Sequence, residues 1–277
     1  MPAIDSFNKT KHLISNQASN TIPSQVVHLW CMHTKNLASY AQCLQHHVNS
    51  LSSLDEQRFH AYKQLEQRLT FLASRVLLKT LLSQYHPCYE PWQWQLGFSA
   101  FDKPHIQQPH SLLQFNISHT QGMIVIAFTS CAAIGCDVEH LLRCVPRESL
   151  SKRYFSPYEQ RALQHGIPQE QQHRFFALWT LKEACVKACG LGLRLPLPAL
   201  SFAVTQPLTS PQMAQFYSSD SRVNALHWQL WHIPLSDEHT AAVGIAAPTP
   251  SPLDIQVFSL DVASLVSQES FGTVCVQ

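Results

Sequence analysis

The 277-residue chain is 45% hydrophobic and 13% charged, with 19 Lys and Arg against 18 Asp and Glu, a formal net charge of +1. That apolar content suffices for a sizeable core, in one large domain or two ordinary ones. The near-zero charge excludes a global basic field for nucleic acid or a membrane surface, so any anion site must be local.

The opening residues, Met1 to Asn8, lack the basic and apolar regions of a signal peptide, and no apolar run approaches a membrane span. A cytoplasmic protein is expected. Residues 1–24 are polar and rich in Asn, Ser and Gln, the composition of a weakly ordered tail. A strand is predicted from Val26 to Trp30. From Ser53 to Tyr85 apolar residues recur at helical spacing, with Ser53 and Glu56 as a capping box and a break into two helices. Strands are predicted at 92–98, 112–117, 123–129 and 133–138, with a turn at Asp102-Lys103-Pro104 and a tight one at Gly122. Ser156, Pro157 and Glu159 signal a helix start, and a long helix runs from about Gln169 to Cys189, ending at Gly190. Strands follow at 199–204, 225–233 and 241–246, while the end from Pro248 has no clear pattern. Helices and mainly antiparallel strands in each half give an α+β class, divided into subdomains at 25–132 and 133–277. Nine cysteines with no Cys-x-x-Cys pair exclude a zinc ribbon and a thioredoxin-like motif.

Chemistry concentrates in two segments. Along the strand Ile134–Glu139, Asp137 and Glu139 share a face with Gly135, where a bulge or, preferably, close ligand approach is expected. On the long helix Glu183 and Lys187 stand at i and i+4, again on one face, while Lys182 lies off it and reads as structural or surface-facing. Three carboxylates without thiolate or imidazole favour magnesium or manganese over zinc, and magnesium pairs naturally with a phosphate-bearing substrate. The stretch from Asn116 through Ser118 and His119 to Gly122, a strand end entering a turn, offers hydroxyl, imidazole and backbone N–H groups to an anion. Cys185 and Cys189 read as buried small residues, and Trp179 and Phe176 as core.

Taken in order, Phe115-Asn116-Ile117-Ser118-His119, Ile134–Glu139 and Phe176–Lys187 resemble the 4′-phosphopantetheinyl transferases of the larger, surfactin-synthetase-activating type. The resemblance covers roughly residues 50 to 200. It implies two similar pseudo-twofold-related subdomains with the active site in the cleft between them. The implied reaction transfers the 4′-phosphopantetheine arm of coenzyme A to a carrier-protein serine, releasing adenosine 3′,5′-bisphosphate. Asp137, Glu139 and Glu183 match the magnesium ligands, Glu183 also the general base, and Lys187 the pyrophosphate partner. Asn116, Ser118 and His119 fall in the motif that meets coenzyme A. Arg58 matches a basic residue near the 3′-phosphate, and Lys103 lies in the nucleotide loop, where the family usually has glycine at the position of Asp102. Arg75 and Lys79 read equally as added positive field or as solvated helix charges. Leu191, Leu193 and Leu195 read as a buried strand in preference to a carrier-docking edge. The implied partners are an apo acyl or peptidyl carrier protein and coenzyme A, with a monomeric enzyme and no nucleic acid or membrane. The alternatives are a magnesium-dependent phosphoester hydrolase with the same carboxylates, or a non-catalytic coenzyme A-binding homologue.

Overall fold

The computed structural model describes residues 22, 25–99, 101–205, 208–249 and 252–272. Nearly all of the predicted N-terminal tail lies outside them. The first half runs β1 (Val26–His33), α1 (Ala41–Gln45), α2 (Ser53–Ala61), α3 (Leu65–Tyr85), β2 (Gln95–Phe98), β3 (Pro104–Gln108), β4 (Gln114–Thr120) and β5 (Met123–Thr129). Next come β6 (Ala133–His140), α4 (Arg147–Tyr154), α5 (Pro157–Ala162), α6 (Pro168–Cys189), β7 (Leu200–Ala203), β8 (Gln212–Met213) and β9 (Gln215–Ser218). The chain closes with α7 (Ser221–Asn224), β10 (His227–Pro234), β11 (His239–Ala247), β12 (Asp254–Asp261) and α8 (Val262–Gly272). Among the described residues no helix is long and apolar enough to cross a membrane.

Two four-stranded sheets carry the fold, in the orders β12-β1-β5-β4 and β6-β11-β10-β8. Period-two alternation decides how they stack. From β5, Ile124, Ile126 and Phe128 turn to one side and join Leu72, Val76 and Leu81 of α3. Met123, Val125 and Ala127 turn to the other and meet Ile134, Cys136 and Val138 of β6 and Val243 and Ile245 of β11. Beyond the second sheet, Leu230 and Ala242 pack on Leu178, Leu181 and Ala184 of α6. The layers are therefore α3, first sheet, second sheet, α6: two α+β lobes of like construction. Each fully buried Leu, Ile or Phe in these seams stabilises the stack by about 1.5–3 kcal/mol.

The expected second subdomain, 133–277, includes β12, the last strand. β12 pairs in parallel with β1, Val26 opposite Asp254 through His33 opposite Asp261, and so returns to the first sheet. Its exposed face left only weak alternation to read. The helical segment 53–85 does break in two, though the cap is Ser52, whose Oγ accepts from Asp55 N at 3.2 Å, one residue before the expected Ser53. Residues 192–194 form a single 3-10 turn followed by buried Leu195, where a strand was expected, because Gly190 and Gly192 both take positive φ.

Gly135 makes no bulge: its register opposite Gly244 is unbroken. It serves helix packing. A Cβ there would overlap the backbone of Ala184 and Ala188, so the bare glycine lets α6 lie directly on β6. That close approach positions the site.

Candidate active site

The lobes meet where β4, the edge of the first sheet, runs beside β6, the edge of the second. Side chains stitch this seam. Asn116 Oδ1 accepts from Cys136 N at 2.8 Å, and Cys136 Sγ donates to Asn116 O at 3.1 Å. Two residues along β4, Ser118 Oγ donates to Asp137 Oδ1 at 2.8 Å. The side chain of Lys187 comes down from α6 onto the same oxygen, its Nζ 2.6 Å from Asp137 Oδ1 and 3.1 Å from both Ser118 Oγ and Cys136 O. Serine, aspartate and lysine thus meet from three elements.

Negative charge is concentrated around this cluster. Burial raises the Glu183 carboxyl above its usual range, and the fields of Asp137 and Glu139 raise it further against the pull of Lys187. Burial and then Asp137 likewise raise Glu139, which Arg143 partly counters by donating to both of its oxygens at 2.9 and 2.8 Å. For Lys187, burial opposes the charged form, but Asp137 and its other neighbours outweigh it and the ammonium is held more firmly than usual. Asp137 Oδ2 is buried without a hydrogen-bond partner. An orphaned carboxylate oxygen among mutually repelling carboxylates is what a hard divalent cation relieves. Among the described residues no three such ligands are already converged, since Glu139 is turned to Arg143 and Asp137 Oδ1 to Lys187.

Beside the cluster lies a cavity of about 540 Å³ whose lining includes Arg58, Tyr62, Phe71, Arg75, Asp102 and His119. Burial, with the fields of Arg75 and Lys187, lowers the His119 imidazole to about 4, so it is neutral at pH 7. Arg75 is buried and donates to both oxygens of buried Asp55, at 3.0 and 3.1 Å, while Lys79 Nζ donates to Ser50 O at 2.6 Å. Neither is a solvated helix charge.

The structure thus brings Ser118, Asp137 and Lys187 into contact, sets Glu139 and Glu183 in their field, and puts Arg58 and His119 in the adjoining cavity. It does not bring Lys103 or Asn116 to that cavity. Lys103 Nζ donates to Ile134 O at 2.8 Å and Lys187 O at 2.7 Å, and Asn116 spends its amide oxygen on β6. Both tie the lobes together. Lys182 is fully buried, 2.8 Å from Glu159 and donating to Leu197 O and Leu200 O. Sequence reasoning missed Arg143, whose only signal is its spacing four residues after Glu139. It also missed the Asp55–Arg75 pair, which no local pattern announces.

The family model described as the 4′-phosphopantetheinyl transferase superfamily matches residues 133–244, which contain Asp137, Glu139, Glu183 and Lys187. The 4′-phosphopantetheinyl transferase HetI of Nostoc sp. is 33% identical over 229 residues, 82% of this chain and 90% of that protein. The chain belongs to the 4′-phosphopantetheinyl transferase superfamily. A putative 4′-phosphopantetheinyl transferase of Synechocystis sp. is 27% identical over 186 residues, 67% of this chain and 72% of its own. The 4′-phosphopantetheinyl transferase Sfp of Bacillus subtilis is 38% identical over 92 residues, 33% of this chain and 40% of that one. Membership makes the chain a holo-carrier-protein synthase, an enzyme that transfers phosphopantetheine to carrier proteins, and the two-lobed α+β architecture agrees with it.

Proposed function

We propose that the seam between the lobes binds coenzyme A with its nucleotide toward the cavity of Arg58 and His119 and its pyrophosphate at Lys187 and Ser118. A carrier-protein serine then attacks the pantetheine-bearing phosphorus. A bond forms from the serine oxygen to that phosphorus, the bond to the bridging oxygen breaks, and adenosine 3′,5′-bisphosphate leaves. Glu183 takes the serine proton, because a carboxyl raised by burial is a stronger base than a solvated one. Lys187 stabilises the charge that gathers on the leaving bisphosphate. Asp137, Glu139 and Glu183 would hold a magnesium or manganese ion, which when bound neutralises pyrophosphate charge. In this reading the lobes are 25–132 joined by 254–272, and 133–247.

The observation that carries the reading is the Ser118–Asp137–Lys187 cluster with its orphaned carboxylate oxygen, directly beside a cavity containing two arginines. The test is intact-mass analysis of several apo carrier proteins incubated with the protein, coenzyme A and magnesium. One phosphopantetheine added per carrier supports the proposal. Bisphosphate release without a carrier would instead point to the hydrolase reading.

A further inference from the structure

Asp102 closes the turn between β2 and β3, where its N–H donates to Ser99 O at 3.0 Å and Ser99 N donates to Lys103 O at 2.9 Å. Its φ is 60°, in the left-handed region that glycine enters without steric cost and aspartate or asparagine tolerates. A glycine would complete this turn equally well. The turn therefore does not depend on the Asp102 side chain.

That side chain engages Arg58. Asp102 Oδ1 lies 2.8 Å from Arg58 Nη2, and the guanidinium also sits 4.4 Å from the centre of the Phe98 ring. Among the described residues lining the cavity Asp102 is the one carboxylate, and the other guanidinium there, Arg75, is already matched by Asp55. The Asp102 side chain is 80% exposed, so its ion pair is weak and a ligand phosphate can take Arg58 over. The displaced carboxylate stays tethered beside the newly bound anion and repels it.

We infer that Asp102 is a specificity-determining residue of this cavity: it weakens the preference for a nucleotide carrying an additional phosphate at Arg58 over the same nucleotide without it. The inference rests on the reading that the cavity takes the nucleotide of coenzyme A. Neutralising the carboxylate leaves Arg58 with an uncompensated charge that only the extra phosphate exploits.

The experiment is calorimetric titration of the full chain with adenosine 3′,5′-bisphosphate and with adenosine 5′-monophosphate, for the wild type, Asp102→Asn and Asp102→Gly. Both substitutions keep the left-handed turn accessible. Bisphosphate should bind both variants about threefold more tightly than the wild type, with the monophosphate nearly unchanged, as expected for an exposed charge pair. An unchanged ratio, or weaker bisphosphate binding because Asp102 orients Arg58 productively, overturns the inference while leaving the cavity reading intact. If the wild type binds neither nucleotide, the cavity reading falls and this inference with it.

Discussion

Lys187 Nζ and Ser118 Oγ converge on a single oxygen of Asp137, at 2.6 and 2.8 Å, while the other oxygen of that carboxylate is buried and unpartnered. The residue thereby fixes a cation from the second lobe and a hydroxyl from the first, and keeps one acceptor in reserve. Asp137→Ala should lower kcat of carrier loading by at least about 10²–10³-fold, the scale of losing one preorganised electrostatic group. Lys187→Ala should lose a similar factor. Steady-state transfer assays check both, and a variant within threefold of wild type contradicts the assigned roles.

The Glu159–Lys182 pair ties α6 to α5 and the start of β7. Both side chains are fully buried at 2.8 Å, and Glu159 also caps α5 through Ser156 N and holds Phe202 N. Lys182→Met should destabilise the protein by about 3–5 kcal/mol, because it strands a buried carboxylate. Denaturant melts of Lys182→Met and of the double variant Glu159→Gln/Lys182→Met give the check. The double variant should recover part of the loss, and an additive loss argues against the pairing.

Gly135→Ala should cost about 1–3 kcal/mol and lower transfer activity together, since the new methyl pushes α6 off β6 and carries Glu183 and Lys187 with it. A variant that loses stability yet keeps full kcat would show that the helix does not position the reacting groups.

Much of this arrangement is readable in the sequence, for reasons of periodicity. The alternation in Ile134–Glu139 sends Asp137 and Glu139 away from the inner core, and the i, i+4 spacing puts Glu183 and Lys187 on one helix face. Contacts between distant segments are not readable in this way. Nothing local shows that Lys103 reaches Ile134 O across 31 positions or that Arg75 needs Asp55. The same limit hides β12, whose parallel partner lies more than two hundred residues earlier. Gly135 was legible as special but not in its cause, because the atoms it makes room for belong to a helix some fifty residues on.

Acid should unfold the protein through its buried histidines. His232 accepts or donates one bond, to Thr240 Oγ1 at 2.7 Å, and its Nδ1 is buried without a partner. Burial, with repulsion from His173, lowers its imidazole from 6.5 to about 4. The unfolded chain therefore binds more protons between these values. Stability from this group is complete above about pH 6.5 and is lost as pH falls toward 4, a loss on the order of 3 kcal/mol. Denaturation midpoints measured across that window should fall less steeply for His232→Phe than for the wild type, and parallel slopes would exclude His232 as a contributor.

The central claim is that Glu183, raised by burial beside Asp137 and Glu139, activates the carrier serine. Intact-mass spectrometry of an apo carrier protein, incubated with coenzyme A, magnesium and either wild type or Glu183→Gln, tests it most directly. The wild type should add one phosphopantetheine and Glu183→Gln essentially none, with both proteins folded by circular dichroism. Equal loading by the two, or none by the wild type across acyl, peptidyl and polyketide carriers, would contradict it.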